Sequence, residues 1–122
     1  GALEALEKLA ARYPLAAISN GNADLARVGL DQHFRFGLSA SEHGAAKPDP
    51  GIFHAACGRL GVEAGRVLHV GDDAHSDVVG ARRAGLRAAW INAQNLPWEH
   101  PEHAPEIEAE SFAALVERLL QQ

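Results

Sequence analysis

The 122-residue chain has little of what several classes of protein require. It contains one cysteine, Cys57, so it can form no internal disulfide, and this is typical of a reducing cytoplasm. No apolar run approaches the roughly 18 residues that a membrane-spanning helix needs. Acidic residues interrupt the N-terminal leucines where a signal peptide would be apolar. The chain also begins without a methionine and in the middle of a helical pattern, which we interpret as a chain cut from a longer one.

Positive charge is scarce as well. The formal net charge is −5 at pH 7, and the lysines and arginines form no block. A nucleic acid or an anionic membrane therefore has no electrostatic partner here. Apolar residues, in contrast, make up 47% of the chain. That share is enough for one compact domain with a core over residues 1–122, while the oligomeric state stays open.

The spacing of apolar residues alternates between strand and helix along the chain. Short apolar runs predict buried strands at 14–19, 34–40, 66–70 and 87–92. Helical periodicity predicts helices at 2–12, 23–29, 50–60, 75–84 and 112–120, with a proline-rich loop at 93–105. The residues expected to cap or end these helices are Pro14, Asp49, Gly61, Gly85 and Ser111. This alternation indicates an α/β fold with a doubly wound parallel sheet, whose ligands bind at the carboxyl ends of the strands.

Residues suited to phosphate follow the first two strands. Ser19, Asn20 and Gly21 end the first strand, where a hydroxyl and backbone N–H groups suit a phosphoryl oxygen. A plain turn has the same composition. Lys47 follows the second strand just before the helix at 50–60, where its ammonium can oppose a phosphate. The alternative for Lys47 is a solvated loop lysine.

Three carboxylates follow the third strand. Asp72, Asp73 and Asp77 lie beside the start of the helix at 75–84. The helix dipole stabilises one or two acids there by about 0.3–1 kcal/mol each, but it does not explain three. Magnesium does explain them, because it takes one or two protein carboxylates together with waters and a substrate phosphate. The strand ends therefore predict a magnesium site next to phosphate-binding groups.

These segments resemble the motifs of the haloacid dehalogenase-like (HAD) superfamily. AAISNGN is similar to the second motif, Lys47 before PDPGIF to the third, and HVGDDAHSDVVGARRAG to the fourth. The resemblance implies that Ser19 binds phosphate and that Lys47 and Asp72 take part in catalysis, with Asp72 as a Mg²⁺ ligand. It implies that Asp73 is a second candidate ligand, and that Asp77 supports Lys47 and the metal shell.

One motif of the family is absent. No Asp-x-Asp precedes Ser19 on an apolar strand, and the only acids there are Glu4 and Glu7 on the first helix. The resemblance implies that the nucleophilic Asp, the acid/base Asp and the helical cap lie upstream. The family's strand order, 5-4-1-2-3, implies that the missing central strand would separate 66–70 from 14–19. We expect a gap there, a direct pairing of the two strands, or self-association through them.

The best-matching function is a magnesium-dependent phosphomonoesterase that works through an aspartyl-phosphate on a small phosphorylated metabolite. The sequences of these motifs are similar to those of bacterial flavin mononucleotide (FMN) phosphatases, which also act on a phosphorylated ribityl-aminouracil. We expect the isolated chain to be inactive, and a non-catalytic fragment or binding module is the alternative. A haloacid dehalogenase fits less well, because displacement at carbon needs neither a metal nor three carboxylates. A receiver domain fits less well too, because receivers carry the acidic pair first and the lysine last.

The remaining candidates have plainer interpretations. His100 and His103 are expected to be solvated loop residues rather than zinc ligands. His69 is expected to be a packed core residue rather than a base, and His75 an exposed residue at a helix start. Cys57 has no low-pKa context and is expected to pack in the core.

Overall fold

A computed structural model describes residues 1–19, 31–40, 44–47 and 49–121. The strands are β1 Ala16–Ser19, β2 Phe36–Ser39, β3 Leu68–Gly71, β4 Arg87–Ile91 and β5 Ile107–Ala109. The helices are α1 Ala2–Ala10, α2 Pro50–Leu60, α3 Gly80–Arg83 and α4 Phe112–Leu120, with a π-helical segment, Ala74–Val79, directly before α3. The helix expected at 23–29, together with Asn20 and Gly21, lies outside the described residues. No helix in the described ranges is both long and apolar enough to cross a bilayer.

The strands form two parallel sheets. β1 pairs with β2, whereas β3, β4 and β5 form the second sheet in that order. The register aligns Ala16 with Phe36 between β1 and β2, and Leu68 with Arg87 between β3 and β4. Within the described ranges no ladder joins β1 to β3. Of the three outcomes expected between 14–19 and 66–70, the structure therefore has the gap.

One apolar core connects the two sheets. Ile52 and Phe53 of α2 are fully buried and cluster with Leu38 of β2, Val78 of the π-helical segment and Trp90 of β4. Helix α2 thus packs on elements from both sides of the gap. On the opposite face, α4 covers β4 and β5 and packs against α1.

Two helices have the bounds that the sequence predicts. Asp49 accepts a hydrogen bond from Gly51 N at 2.8 Å and so caps α2, which ends at Gly61 in a left-handed conformation, φ 71°. Ser111 accepts one from Ala114 N at 3.0 Å and caps α4. The helices predicted at 50–60 and 112–120 are confirmed because local capping groups define their ends.

Other bounds differ from the prediction. The helix predicted at 75–84 is instead the π-helical segment followed by α3, and Val78 N donates to Asp73 O at 3.3 Å across five residues. The third strand begins at Leu68 because Ala64–Arg66 forms a 3₁₀ turn. Helix α1 ends at Ala10, where the chain turns before β1. Strand β5 was not predicted at all, because three residues are too few to show an alternating pattern.

Candidate active site

The end of β3 directs its side chains to two different environments. Leu68 and Val70 pack on the apolar cluster formed with β5 and α4. His69 and Gly71, which alternate with them, face the π-helical segment and α2. The polar groups of the site lie on this second face, around Asp77.

Asp77 accepts three hydrogen bonds. Lys47 Nζ donates to Oδ1 at 2.6 Å, His69 Nε2 lies 3.0 Å from the same oxygen, and Asp73 N donates to Oδ2 at 3.1 Å. Only 6% of the Asp77 side chain is exposed. Burial raises the pKa of this carboxyl, but the hydrogen bonds and charges of His69 and Lys47 outweigh it and hold the pKa well below its usual range. Asp77 is therefore an ionised, buried carboxylate at neutral pH.

Lys47 brings a cation from a different part of the chain. It lies in the segment between β2 and α2, 30 residues from Asp77, and 11% of its side chain is exposed. A lysine so little exposed requires a charged partner, and the ion pair with Asp77 provides it. The structure thus brings the third-motif lysine to the fourth-motif aspartate, as the resemblance implied.

Gly71 makes this arrangement sterically possible. A Cβ atom at position 71 would clash with Cγ, Oδ2 and Cβ of Asp77. The carboxylate therefore packs directly on the backbone at the end of β3. A glycine at this position is a requirement of close approach rather than of chain flexibility.

Asp73 caps the π-helical segment. Its Oδ1 accepts from Ser76 N at 2.8 Å and from His75 N at 3.0 Å. The hydrogen bond from Ser76 N has the largest effect on the Asp73 carboxyl, and its pKa is lowered overall. One of its oxygens is therefore occupied by the cap.

Asp72 follows β3 with an exposed side chain. Trp90 Nε1 donates to its carbonyl oxygen at 3.0 Å, and Trp90 in turn contacts Trp98 edge to face at 5.0 Å. The loop at 93–105 thus packs against the tryptophan that holds the backbone of Asp72. The backbone is fixed while the carboxylate faces outward.

The donors around β3 fit a hard cation only in part. Within the described residues, no group of three His, Cys, Asp or Glu side chains is arranged to hold a metal ion. The exposed carboxylates of Asp72 and Asp73 are oxygen donors, which magnesium prefers. Magnesium commonly takes one or two carboxylates and fills its remaining positions with water and substrate phosphate. The residues therefore fit that mode and not an all-protein cage.

Ser19 lies at the carboxyl end of the other sheet. It ends β1 and is aligned with Ser39 of β2. The structure brings Lys47, Asp77, Asp73 and Asp72 together at the end of β3. That Ser19 converges with them stays a prediction, as does any role of Asn20 and Gly21.

Sequence reasoning missed His69. It was predicted to pack in the core, and its ring does pack edge to face on Phe53 at 5.0 Å, but it also contacts Asp77. The signal available in the sequence is a polar residue inside the apolar run at 66–70. Cys57, by contrast, is buried in the core as predicted, and burial raises the pKa of its thiol.

Comparison with known proteins identifies the family and the fold. A family model described as haloacid dehalogenase-like hydrolase matches residues 1–85. The 5-amino-6-(5-phospho-D-ribitylamino)uracil phosphatase YigB of Escherichia coli is 45% identical over 92 residues, which are 75% of this chain and 39% of that protein. The structure of a 2-haloacid dehalogenase from Pseudomonas syringae superposes with a TM-score of 0.91 at 41% identity, over 97% of this chain and 51% of that one. The HAD-hydrolase YfnB of Bacillus subtilis, determined with magnesium bound, superposes with a TM-score of 0.88 at 26% identity, over 98% and 54%.

The chain spans about half or less of the length of these relatives. The family model nevertheless covers more than half of the chain, including Ser19, Lys47, Asp72 and Asp77. The matched solved structures share its α/β architecture with parallel strands. The chain belongs to the haloacid dehalogenase-like hydrolase family.

Proposed function

We propose that the protein containing this chain is a phosphomonoester hydrolase that acts, with Mg²⁺, on a small phosphorylated metabolite. The observation that carries the proposal is the 2.6 Å ion pair between Lys47 and Asp77, beside the exposed carboxylates of Asp72 and Asp73. A fixed ammonium next to carboxylates at a strand end suits a phosphate bridged to a divalent cation. The E. coli relative, itself a phosphatase by name, supports the same reaction.

The side chains of this chain then have separate roles. Lys47 binds the phosphoryl oxygens, and Asp77 fixes the position of its ammonium. Ser19, with Asn20 and Gly21, donates hydrogen bonds to the same phosphate from the end of β1. Asp72, with Asp73 as the second candidate, would hold Mg²⁺, which when bound neutralises charge on the phosphate.

The bond-breaking residues are expected upstream. We propose that the family's Asp-x-Asp motif supplies a carboxylate that attacks phosphorus and a second Asp that protonates the leaving oxygen. Water then hydrolyses the aspartyl-phosphate and releases inorganic phosphate. Glu4 and Glu7 do not replace this motif, because both are exposed on α1, whose buried residues include Leu6 and Leu9.

The proposed substrate is FMN or the phosphorylated ribityl-aminouracil. The support is the amino-acid sequence of the three motifs and the 45% identity to a phosphatase named for the latter compound. A cytoplasmic location, expected from the single cysteine, stays a prediction.

Haloacid dehalogenation is the second candidate. It is favoured by the 41% identity and TM-score of 0.91 to a 2-haloacid dehalogenase. In that reaction a carboxylate displaces halide from carbon, and no divalent cation is needed. The exposed pair Asp72 and Asp73 beside Lys47 has no evident use in it.

The test is to assay a complete protein containing this chain with p-nitrophenyl phosphate, FMN and 2-chloropropionate. We expect phosphate release that EDTA abolishes and added Mg²⁺ restores, without chloride release. Asp72→Ala should remove most of the magnesium-dependent turnover. Chloride release without phosphate release would favour the dehalogenase instead.

A further inference from the structure

His69 is a polar residue at a position where packing alone would favour an apolar residue. Its neighbours in β3, Leu68 and Val70, bury against one apolar cluster, and His69 faces the other side of the sheet. There its ring meets Phe53 of α2 edge to face, and only 12% of its side chain is exposed. Burying an imidazole costs free energy unless its nitrogens are hydrogen-bonded, so the bond that it makes is informative.

That bond is to the carboxylate that pairs with Lys47. His69 Nε2 lies 3.0 Å from Asp77 Oδ1, the oxygen that also accepts from Lys47 Nζ. The other oxygen, Oδ2, accepts from Asp73 N at 3.1 Å. Because an ionised carboxylate only accepts hydrogen bonds, His69 Nε2 must carry a proton and donate.

The Asp73 N–H and the His69 ring thus bond to different oxygens of Asp77 and fix the plane of its carboxylate. With Asp73 N on Oδ2 and His69 on Oδ1, rotation of the Asp77 carboxylate would break at least one bond. Lys47, in contrast, has a long flexible stem and comes from the segment between β2 and α2. A fixed acceptor at Oδ1 restricts where this ammonium lies.

We propose that His69 is a positioning residue that, through Asp77, holds the Lys47 ammonium where it meets the phosphoryl group. The inference rests on the proposed function, because it assigns Lys47 to phosphate binding. His69 touches no substrate atom in this role. It orients Asp77 by donating to Oδ1, the oxygen that also accepts from Lys47.

The experiment compares three histidine variants of the complete protein. His69→Leu keeps most of the side-chain volume but removes the donor, whereas His69→Gln keeps an N–H donor of comparable reach. His54→Leu is the matched control: His54 Nε2 lies 2.8 Å from Ala84 O, away from Asp77. The measurements are kcat and KM on the best phosphate ester, together with the thermal unfolding midpoint of each variant.

We expect His69→Leu to lower kcat roughly tenfold or more, as loss of a supporting partner to an active-site residue commonly does. His69→Gln should recover most of that loss, and His54→Leu should turn over at the wild-type rate whatever its unfolding midpoint. A wild-type kcat in His69→Leu would overturn the inference, and so would an equal loss in His69→Leu and His69→Gln, which would assign the effect to ring packing on Phe53.

Failure of the proposed function gives a different pattern. If the wild-type protein hydrolyses no phosphate ester, the proposed function fails and the inference fails with it. If the wild type is active and Lys47→Ala is not, while His69→Leu is unchanged, only the His69 inference fails.

Discussion

The Lys47 ammonium is the cation that the structure fixes beside Asp77, at 2.6 Å and with 11% of its side chain exposed. We expect Lys47→Ala to lower kcat of the complete protein by about a hundredfold, as removal of a preorganised charge at a reacting oxygen commonly does. Lys8→Ala is the matched control, because Lys8 is 61% exposed and pairs with Glu4 on α1 at 3.5 Å, away from Asp77. Equal turnover in the two variants would remove Lys47 from the reaction.

Gly71 allows a second test of the same carboxylate. Alanine at this position would push Asp77 away from the end of β3, because its Cβ clashes with the Asp77 side chain. We expect Gly71→Ala to cost about 1–3 kcal/mol of unfolding free energy and to reduce turnover as well. Gly58→Ala is the control, since a Cβ at Gly58 meets nothing within 4 Å and alanine favours the helix. In denaturant unfolding, Gly71→Ala should lower the free energy of unfolding and Gly58→Ala should raise it. A destabilised Gly58→Ala with an unaffected Gly71→Ala would contradict the packing described.

The lowered pKa of Asp77 predicts how stability depends on pH. Its folded pKa lies below the value of about 3.9 expected in the unfolded chain, so the stabilisation is complete above that value and is lost as the pH falls below it. Asp77→Asn should therefore be destabilised at neutral pH by roughly 1–3 kcal/mol, since Lys47 and His69 lose an ionic acceptor. The difference from wild type should shrink on acidification from about pH 5 to pH 3. Asp73 has a lowered pKa too, and the charge of Asp77 raises that pKa, so only the part of the Asp73 contribution that does not depend on Asp77 cancels from the difference. A difference in unfolding free energy that is constant with pH would contradict this.

At the residue scale, the family motifs predicted a contact between residues that lie far apart in the chain. The pairing of Lys47 with Asp77 followed from the resemblance, although the two residues are 30 positions apart. The bond from His69 could not be predicted, because an apolar run does not show which face of a strand lies beside a carboxylate. The role of Asp73 as a helix cap was also missed, because an Asp before a helix and an Asp at a metal have the same sequence context.

At the scale of elements, local capping determines where helices begin and end. Helix α4 begins at Phe112, and Ser111 Oγ accepts from Ala114 N at 3.0 Å. We expect Ser111→Ala to cost about 0.5–2 kcal/mol of unfolding free energy in the complete protein, because the cap is lost. Ser111→Asp, which keeps an acceptor, should stay within a few tenths of a kcal/mol of wild type by the same principle. If urea unfolding gave the same loss for both variants, the hydrogen bond would not be the cause.

Elements without such local signals were predicted less well. Helix α2 has Asp49 at one end and Gly61 at the other, and its predicted bounds are those observed. The π-helical segment begins at a capping Asp73 as well, and its Asp77 packs on Gly71, a contact that no periodicity shows. Strand β5 forms because β4 offers an edge to Ile107, so its existence is decided by tertiary pairing.

At the scale of the whole molecule, the gap between β1 and β3 is the feature that sequence and structure share. The missing first motif predicted a gap, a direct pairing of the two strands or self-association, and the two separate sheets of the described residues show the gap. Helix α2 packs against elements of both sheets, which explains how they remain in one core without a shared ladder. That Ser19 converges with Lys47 stays a prediction, because it depends on how the two sheets are held across this gap.

The gap also predicts how the 122-residue chain behaves alone. Within the described residues, β1 pairs only with β2, and β3 pairs only with β4. Both β1 and β3 therefore have one edge without a ladder. Unpaired edges of apolar strands favour association with other chains. We therefore expect the isolated chain to self-associate in light scattering and to unfold with low cooperativity.

The isolated chain should hydrolyse no phosphate ester, because it lacks the Asp-x-Asp carboxylates that the proposed reaction requires. Extending it upstream with a segment whose apolar strand ends in Asp-x-Asp should restore both a monomer and turnover, since one strand would fill the gap and place the nucleophile between the ends of β1 and β3. Replacing the first Asp of that motif with Asn in the extended protein is the control, and it should restore the monomer without turnover. A 122-residue chain that is monomeric, cooperatively folded and active would show that the nucleophile lies among the residues already present.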